Sequence, residues 1–377
     1  MRSAMRSSAL GLLLCLATAA SAARLAPRLG RGAKPTPAPP TTSTNDIILR
    51  TCAAGWAAIE ASNYLDPELK SRGIVSGCFG IAQATFEDNI REPASGFLEL
   101  FAPLIGLQAI LLFGLTAREQ LELGDEDVSR LGIAQTLTSA FLLGTLGLAV
   151  GSGMEITNAP AVGGAAALAL TTAIASIPSV KSVDEPVALL QSDFKELIDF
   201  EREPANPSDG QVANFYRSST LTGLLVGSAF FLSPISPIAL FETEAPVTHM
   251  LRQDLGVYIV LLLCPVQAAL FRAARDGTLT DAATRGLNLV TGIAISALVL
   301  DGRAQVDAGN RAFELLSADS PLRTLIMSGD VGRPQANTTA AFTVGFCVGL
   351  VYLFQAAFRS APAAAATANG RGAGRRR

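Results

Sequence analysis

The amino-acid sequence predicts an all-α protein, a polytopic transmembrane helical bundle of seven to eight spans built as two parallel four-helix repeats. Three observations predict it. Only 16% of the 377 residues are charged and 49% are hydrophobic, whereas a soluble domain carries about a quarter charged residues. The mean hydropathy is +0.38, and the apolar residues gather into runs of about 20, the length that crosses hydrocarbon as a helix. Landmarks of the first half also recur in the second. The 34 glycines suit the same class, because small residues let helices approach closely where lipid gives no hydrophobic drive for association.

Composition also excludes some partners. A net charge of −3 does not provide the basic groove that nucleic acid requires. Cys15, Cys52, Cys78, Cys264 and Cys347 form no CxxC pair, and His249 is the sole histidine. A Cys/His metal site is therefore not expected, and the cysteines read as small packing residues.

Met1 to Ala22 has the order of a signal peptide: basic Arg2 and Arg6, an apolar core over Ala9–Ala20, and a small-residue site at Ala20-Ser21-Ala22. Residues 23–45 carry Arg24, Arg28, Arg31 and Lys34 among Pro, Ser and Thr, with no acid before Asp46. A signal followed by such a transit-like stretch resembles the two-part presequences of plastid proteins in algae with secondary plastids. That resemblance implies a plastid membrane. The residues alone equally describe a secretory signal followed by a disordered Pro-rich linker, with an endomembrane or plasma-membrane destination.

Seven apolar stretches follow, at Gly96–Leu115, Leu131–Ser152, Ala161–Val180, Ser219–Leu240, Leu255–Ala273, Leu287–Leu300 and Ala340–Phe358. Leu287–Leu300 is short for a hydrocarbon core about 30 Å thick and reads as tilted inward or partly spanning. Ile47–Leu65 is an eighth candidate, weakened by Arg50, Glu60 and Asn63. Two patterns favour counting it. Arg50-Thr51 to Leu65-Asp66-Pro67 aligns without gaps on Arg217-Ser218 to Leu232-Ser233-Pro234. Gln108-Ala109 matches Gln267-Ala268, Ala117-Arg118-Glu119 matches Ala274-Arg275-Asp276, and Arg130 matches Arg285. With eight spans, Arg and Lys after residue 45 divide fifteen to eight, the richer side holding both ends of the chain, as the positive-inside rule prefers.

The first membrane repeat then covers residues 46–180 and the second 218–358, with a polar linker at 181–217 and a disordered Ala/Gly/Arg tail at 359–377. Within the linker, Leu189, Leu190, Phe194, Leu197 and Ile198 recur at helical spacing, with Asp193, Glu196 and Asp199 between them. This predicts an amphipathic surface helix lying on the bundle, its acidic face disfavouring anionic lipid. A similar segment is expected over Asn310–Ile326. In the second half, Arg217 opens a helix, Leu232-Ser233-Pro234 closes it, Gly256 lies in the next, and Ala274-Arg275-Asp276-Gly277 precedes Arg285. These features resemble the DoxX-like group of small four-helix membrane proteins, a resemblance that implies a fold and no functional residue.

A carboxylate within hydrocarbon costs roughly 2.5–3.5 kcal/mol, so Glu60 and Glu99 need a reason. They form either a proton- or cation-linked pair facing a shared cavity, or an interfacial residue and one at headgroup depth. Gln108, Gln267 and Gln355 either pin helices together, at roughly 0.6–2 kcal/mol each, or line a polar path. Pro265 is the expected kink among the span prolines. Gly144, Gly147, Gly151 and Gly153, before Ala-rich Ala161–Ala175, predict a tightly packed hairpin turning at Asn158-Ala159-Pro160. His249 falls in the connector Phe241–Asp254 as a solvated residue.

No GxxxxGK[ST], GxSxG, HExxH or dinucleotide fingerprint occurs. No catalytic, cofactor-binding or metal-binding residue is assigned, and an enzyme ranks last. Two functions are left. One is a structural or assembly component of a plastid membrane, its partners the lipid bilayer and other membrane-complex subunits. The other is a small-solute or ion transporter or channel, with Glu60, Glu99, Gln108 and Gln267 lining a site between the repeats.

Overall fold

The computed structural model describes residues 43–64, 93–118, 123–154, 156, 158–180, 185–199, 209–232, 246–279, 281–315 and 337–358. The signal and most of the transit-like stretch, Pro234 and Pro237, most of Asn310–Ile326 and the C-terminal tail lie outside them. The described residues are helical, with no strand among them. In chain order they form α1 (Thr44–Tyr64), α2 (Pro93–Thr116), α3 (Asp125–Gly151), α4 (Ala159–Ser176), α5 (Glu185–Ile198), α6 (Gly210–Leu232), α7 (Pro246–Tyr258), α8 (Cys264–Asp276), α9 (Ala282–Leu315) and α10 (Asn337–Phe358).

Four of these helices are long and apolar enough to cross a bilayer, over Asp125–Gly151, Ala159–Ser179, His249–Asp276 and Ala283–Arg303. Leu100–Thr116 and Thr343–Ala357 are shorter apolar helices. The short stretch expected to be tilted inward or partly spanning, Leu287–Leu300, lies inside a 34-residue helix. Polar residues such as Thr284, Asn288 and Asp301 interrupt its hydropathy, yet all three are buried.

Local chemistry sets several ends. Asp125, Glu126 and Asp127 sit in the first turn of α3, where carboxylates meet the positive end of the helix dipole. Asn158 caps α4 by accepting from the Ala161 amide at 3.2 Å, with Pro160 in the first turn. Gly277, at φ 76°, closes α8 in the left-handed conformation. Helices α7 and α8 are one continuous rod, joined by a π turn at Ile259–Leu263 just before Pro265. The Cys264 amide bonds five residues back to Ile259, and Pro265 has no N–H to continue the α pattern.

In the first half α1 packs on α2 and α4, and α3 on α4; in the second, α6 packs along the central rod and α9 on α10. The halves meet where the rod lies against α2 and α3, and α9 against α2. In the apolar 18-residue stretch of His249–Asp276, 78% of residues are buried, against 39% in that of α3. The rod is therefore the axis of the molecule.

Glycine permits the closest crossings, at positions other than those expected. Gly144, Gly147, Gly151 and Gly153 have nothing within 4 Å of a notional Cβ, so the predicted glycine-packed hairpin is corrected: α3 and α4 do pack, but those glycines lie away from the contact. The tight approaches are elsewhere. A Cβ on Gly256 would lie 2.6 Å from the Gly227 carbonyl and 2.8 Å from the Phe231 amide. A Cβ on Gly349 would lie 3.2 Å from the Gly292 carbonyl, and Gly345 and Gly349 have the GxxxG spacing that lets membrane helices touch.

The linker helix α5 is held by charge. Asp193 accepts from Arg130 Nε at 3.1 Å and pairs with Arg272 NH1 at 2.6 Å, bridging α3 to α8. Glu196 pairs with Arg275 at 3.0 Å, and Arg217 donates to the Asp199 carbonyl at 2.9 Å. The acidic face therefore turns inward, toward arginines. Of the expected apolar face only Leu197 is buried, while Leu190, Phe194 and Ile198 are exposed. α6 opens at Gly210, so Arg217 lies within it, ahead of the expected boundary.

These contacts collect many helix ends at one end of the bundle. Asn45 donates to the Ala175 carbonyl and Arg50 to Thr116. Gly132 lies against Ser179, and Arg285 donates to the Ala356 carbonyl.

Two predictions follow from this packing. Gly256→Ala should lose about 1–3 kcal/mol, because backbone on the facing helix cannot yield, and Gly147→Ala should be neutral or slightly stabilising; thermal melts in detergent check both. Asp193→Asn should cost about 2–3 kcal/mol, since it strips buried Arg272 of its carboxylate while Arg130 keeps only Glu126 and Asp127.

Candidate functional site

The seam between α2, α3 and the central rod is polar in its interior. Along α3, Arg130, Gln135, Thr138, Ser139 and Thr145 are all buried. At ~1.5 Å per residue this row rises roughly 22 Å, most of a hydrocarbon core of about 30 Å. The rod contributes Asp254 and Tyr258, one helical turn apart and both buried. Gln108 enters from the middle of α2 and is fully enclosed.

Hydrogen bonds join these side chains across three helices. The Tyr258 hydroxyl donates to Gln108 Oε1 at 2.5 Å, and Gln108 Nε2 donates to Ser139 Oγ at 3.3 Å. Gln135 Nε2 donates to the Gln108 backbone carbonyl at 3.4 Å. One turn along the rod, the Thr145 hydroxyl bonds to the Asp254 carboxylate. That hydroxyl also lies within reach of the Phe141 and Leu142 carbonyls, and its single proton can serve only one acceptor at a time. Phe101 sets the Tyr258 ring edge-on, with centroids 4.9 Å apart.

The row is not fully satisfied. Gln135 Oε1 and Thr138 Oγ1 are buried without a hydrogen-bond partner. Buried polar atoms ordinarily have partners, so free acceptor and donor capacity lines this seam. A chain of hydroxyl, amide and carboxyl groups of this kind can bind a small polar guest or a cation, or pass a proton between neighbours.

The four residues expected from sequence do not share one site. Glu60 is buried at 3% exposure, and its carboxylate lies over Gly106, where a Cβ on that glycine would overlap it. Its Oε1 has no hydrogen-bond partner. It belongs to the crossing of α1 and α2, on a different face of α2 from Gln108. Glu99 lies on α2, with its side chain outside the described residues. Gln267 is in the second half, donating to Ser219 Oγ at 2.9 Å beside Gly223. Only Gln108 joins the seam.

A second buried cluster surrounds Gln267. Tyr216 donates to Asn288 Oδ1 at 2.6 Å, and its ring stacks obliquely on Tyr352 at 5.2 Å. His249, expected in a loop, is exposed in the first turns of α7, with Nδ1 2.7 Å from Arg252. Among the described residues, no three His, Cys, Asp or Glu side chains gather as a metal site would require.

Sequence reasoning missed Asp254, Tyr258, Ser139 and Thr145. Arg252, Gln253 and Asp254 interrupt the apolar run, which moved the expected start of the span to Leu255. The available signal was Asp254 and Tyr258 at i, i+4, leading into an apolar helix.

Removing single groups should grade the network. Tyr258→Phe should cost about 0.5–1.5 kcal/mol, one interhelical hydrogen bond. Gln108→Leu should cost more, about 2–3 kcal/mol, because it strands the Tyr258 and Ser139 hydroxyls together; thermal unfolding in one detergent checks the order. No protein-family model, curated protein or solved structure matches the chain, so any role for it rests on this geometry.

Proposed function

We propose that this chain is a carrier or channel for a small polar solute or a cation, with its site at the seam between two membrane-embedded halves. The observation that carries the reading is the buried Asp254 carboxylate, held by Thr145 one turn from the Tyr258–Gln108–Ser139 network. A carboxylate within a membrane bundle is costly and marks an ion, proton or substrate path more often than a packing position. The orphaned Gln135 and Thr138 atoms on the same face of α3 support it. Inverted or parallel repeats commonly place their sites between halves.

The reading includes eight spans in two parallel repeats. What supports it is that the ends of α2, α4 and α10 meet the starts of α1 and α9, as antiparallel crossings require. Gln108 and Gln267, paired by the repeat, both lie buried in the second helix of their halves. On the two-part presequence we assign the protein to a plastid membrane, with an endomembrane or the plasma membrane as the alternative. A structural or assembly role is the second reading, favoured by the Gln108 side chain, whose amide is bonded at both its nitrogen and its oxygen.

The full-length protein in proteoliposomes discriminates the two. We expect flux of protons, K⁺ or Na⁺, or uptake of one solute from a panel of amino acids, sugars and organic acids. Asp254→Asn should reduce that flux about tenfold while leaving the folded fraction intact, as for an intramembrane carboxylate on a permeation path. Absence of any flux or ligand-induced thermal stabilisation, with copurification of a stable large complex from native membranes, would replace the transport reading with the structural one.

A further inference from the structure

The linker helix divides into three sectors, and each faces a different environment. Asp193, Glu196 and Leu197 point to the bundle, the first two paired with Arg130, Arg272 and Arg275. At 100° per residue, Leu190, Phe194 and Ile198 fill about the next third of the circumference. They are 44%, 55% and 49% exposed. Ser192 and Lys195 occupy the remaining third and are exposed as well. A helix that merely packed on the bundle would turn its apolar stripe inward, and one standing in water would not display three large apolar groups in a row.

We infer that α5 lies in the plane of the membrane boundary, with Leu190, Phe194 and Ile198 seated among lipid acyl chains just beneath the headgroups. Its depth is set by its anchors. Arg130, Arg272 and Arg275 stand near the ends of α3 and α8, with Arg217 two turns into α6, and arginines at span ends mark the interface. With 14 residues, about 21 Å, the helix is too short to cross and fits an interfacial position. The acidic face is no obstacle to lipid, because its carboxylates are neutralised by the arginines beneath it. A second copy of the chain is a poorer occupant, since three side chains fall far below the ~1,000 Å² that a stable interface buries. The strap thereby fastens both halves to one face of the membrane while leaving its polar flank in water.

The test uses the full-length protein in proteoliposomes, with tryptophan as reporter. Trp56 is the only natural tryptophan, and it is buried, so the wild type serves as baseline. Phe194→Trp and Leu190→Trp report on the apolar flank and Ser192→Trp on the polar one, and all three replace side chains outside the core. With lipids brominated on the acyl chain near the headgroup, the added emission of the two apolar-flank variants should be quenched roughly threefold more than that of Ser192→Trp. Aqueous iodide should show the reverse order. Equal iodide quenching on both flanks would overturn the inference in favour of a solvated helix. Protection of the apolar flank from both quenchers would overturn it in favour of a protein partner, a second copy included.

Discussion

In a bundle surrounded by hydrocarbon, a polar side chain has no water to fall back on and must find its partner on another helix. That constraint organises this molecule. Tyr258 reaches Gln108, Gln108 reaches Ser139, and Asp254 meets Thr145, each bond crossing from one helix to another. At the linker end the same requirement is met by ions, with Asp193 shared between Arg130 and Arg272. The two arrangements lie at different heights of the seam and both involve α3 and the central rod. Apolar contacts discriminate weakly between lipid and protein, so the polar contacts specify which helix lies beside which.

Helix existence was legible in the sequence because apolar runs and period are local properties. The described part of every expected span is helical, and Asn158-Ala159-Pro160 opens α4 as its capping chemistry indicates. Partnering was not legible. Gly147 and Gly151 have the same spacing as Gly345 and Gly349, yet only the second pair sits in a helix contact. Spacing describes one helix, whereas contact depends on what stands opposite. The linker illustrates the same limit. Its residues predicted a helix, and the chain is helical over Glu185–Ile198, but the orientation of its faces depended on arginines far off in sequence, at positions 130, 272 and 275.

The candidate site failed to emerge for a related reason. Hydropathy penalises Arg252, Gln253 and Asp254 equally, whether they face water or a buried threonine, so the run appeared to start at Leu255. Glu60 drew attention because it stood alone in an apolar stretch, and it is buried as an intramembrane carboxylate would be. Its neighbour is a glycine on α2, and that crossing is separated from Gln108 by the body of the same helix. One sequence can rank residues by cost of burial, but assembling them into a site requires the helix faces.

The placement of α3 joins these features into one mechanical argument. Its first turns hold Arg130, which pairs with Asp193 of the strap, itself paired with Arg272 of α8; its last turns hold Thr145, which bonds Asp254 in the second half of α7. α3 is thus fastened to the rod at both ends, with Gln135, Thr138 and Ser139 between the fastenings. The middle of the rod is where its hydrogen bonding changes, through the π turn after Tyr258. A π turn offers an alternative register at low cost compared with breaking a regular helix. A guest entering the seam would therefore meet a seam closed by charge at one end and by a carboxylate at the other, beside the one part of the rod whose backbone pattern is already irregular.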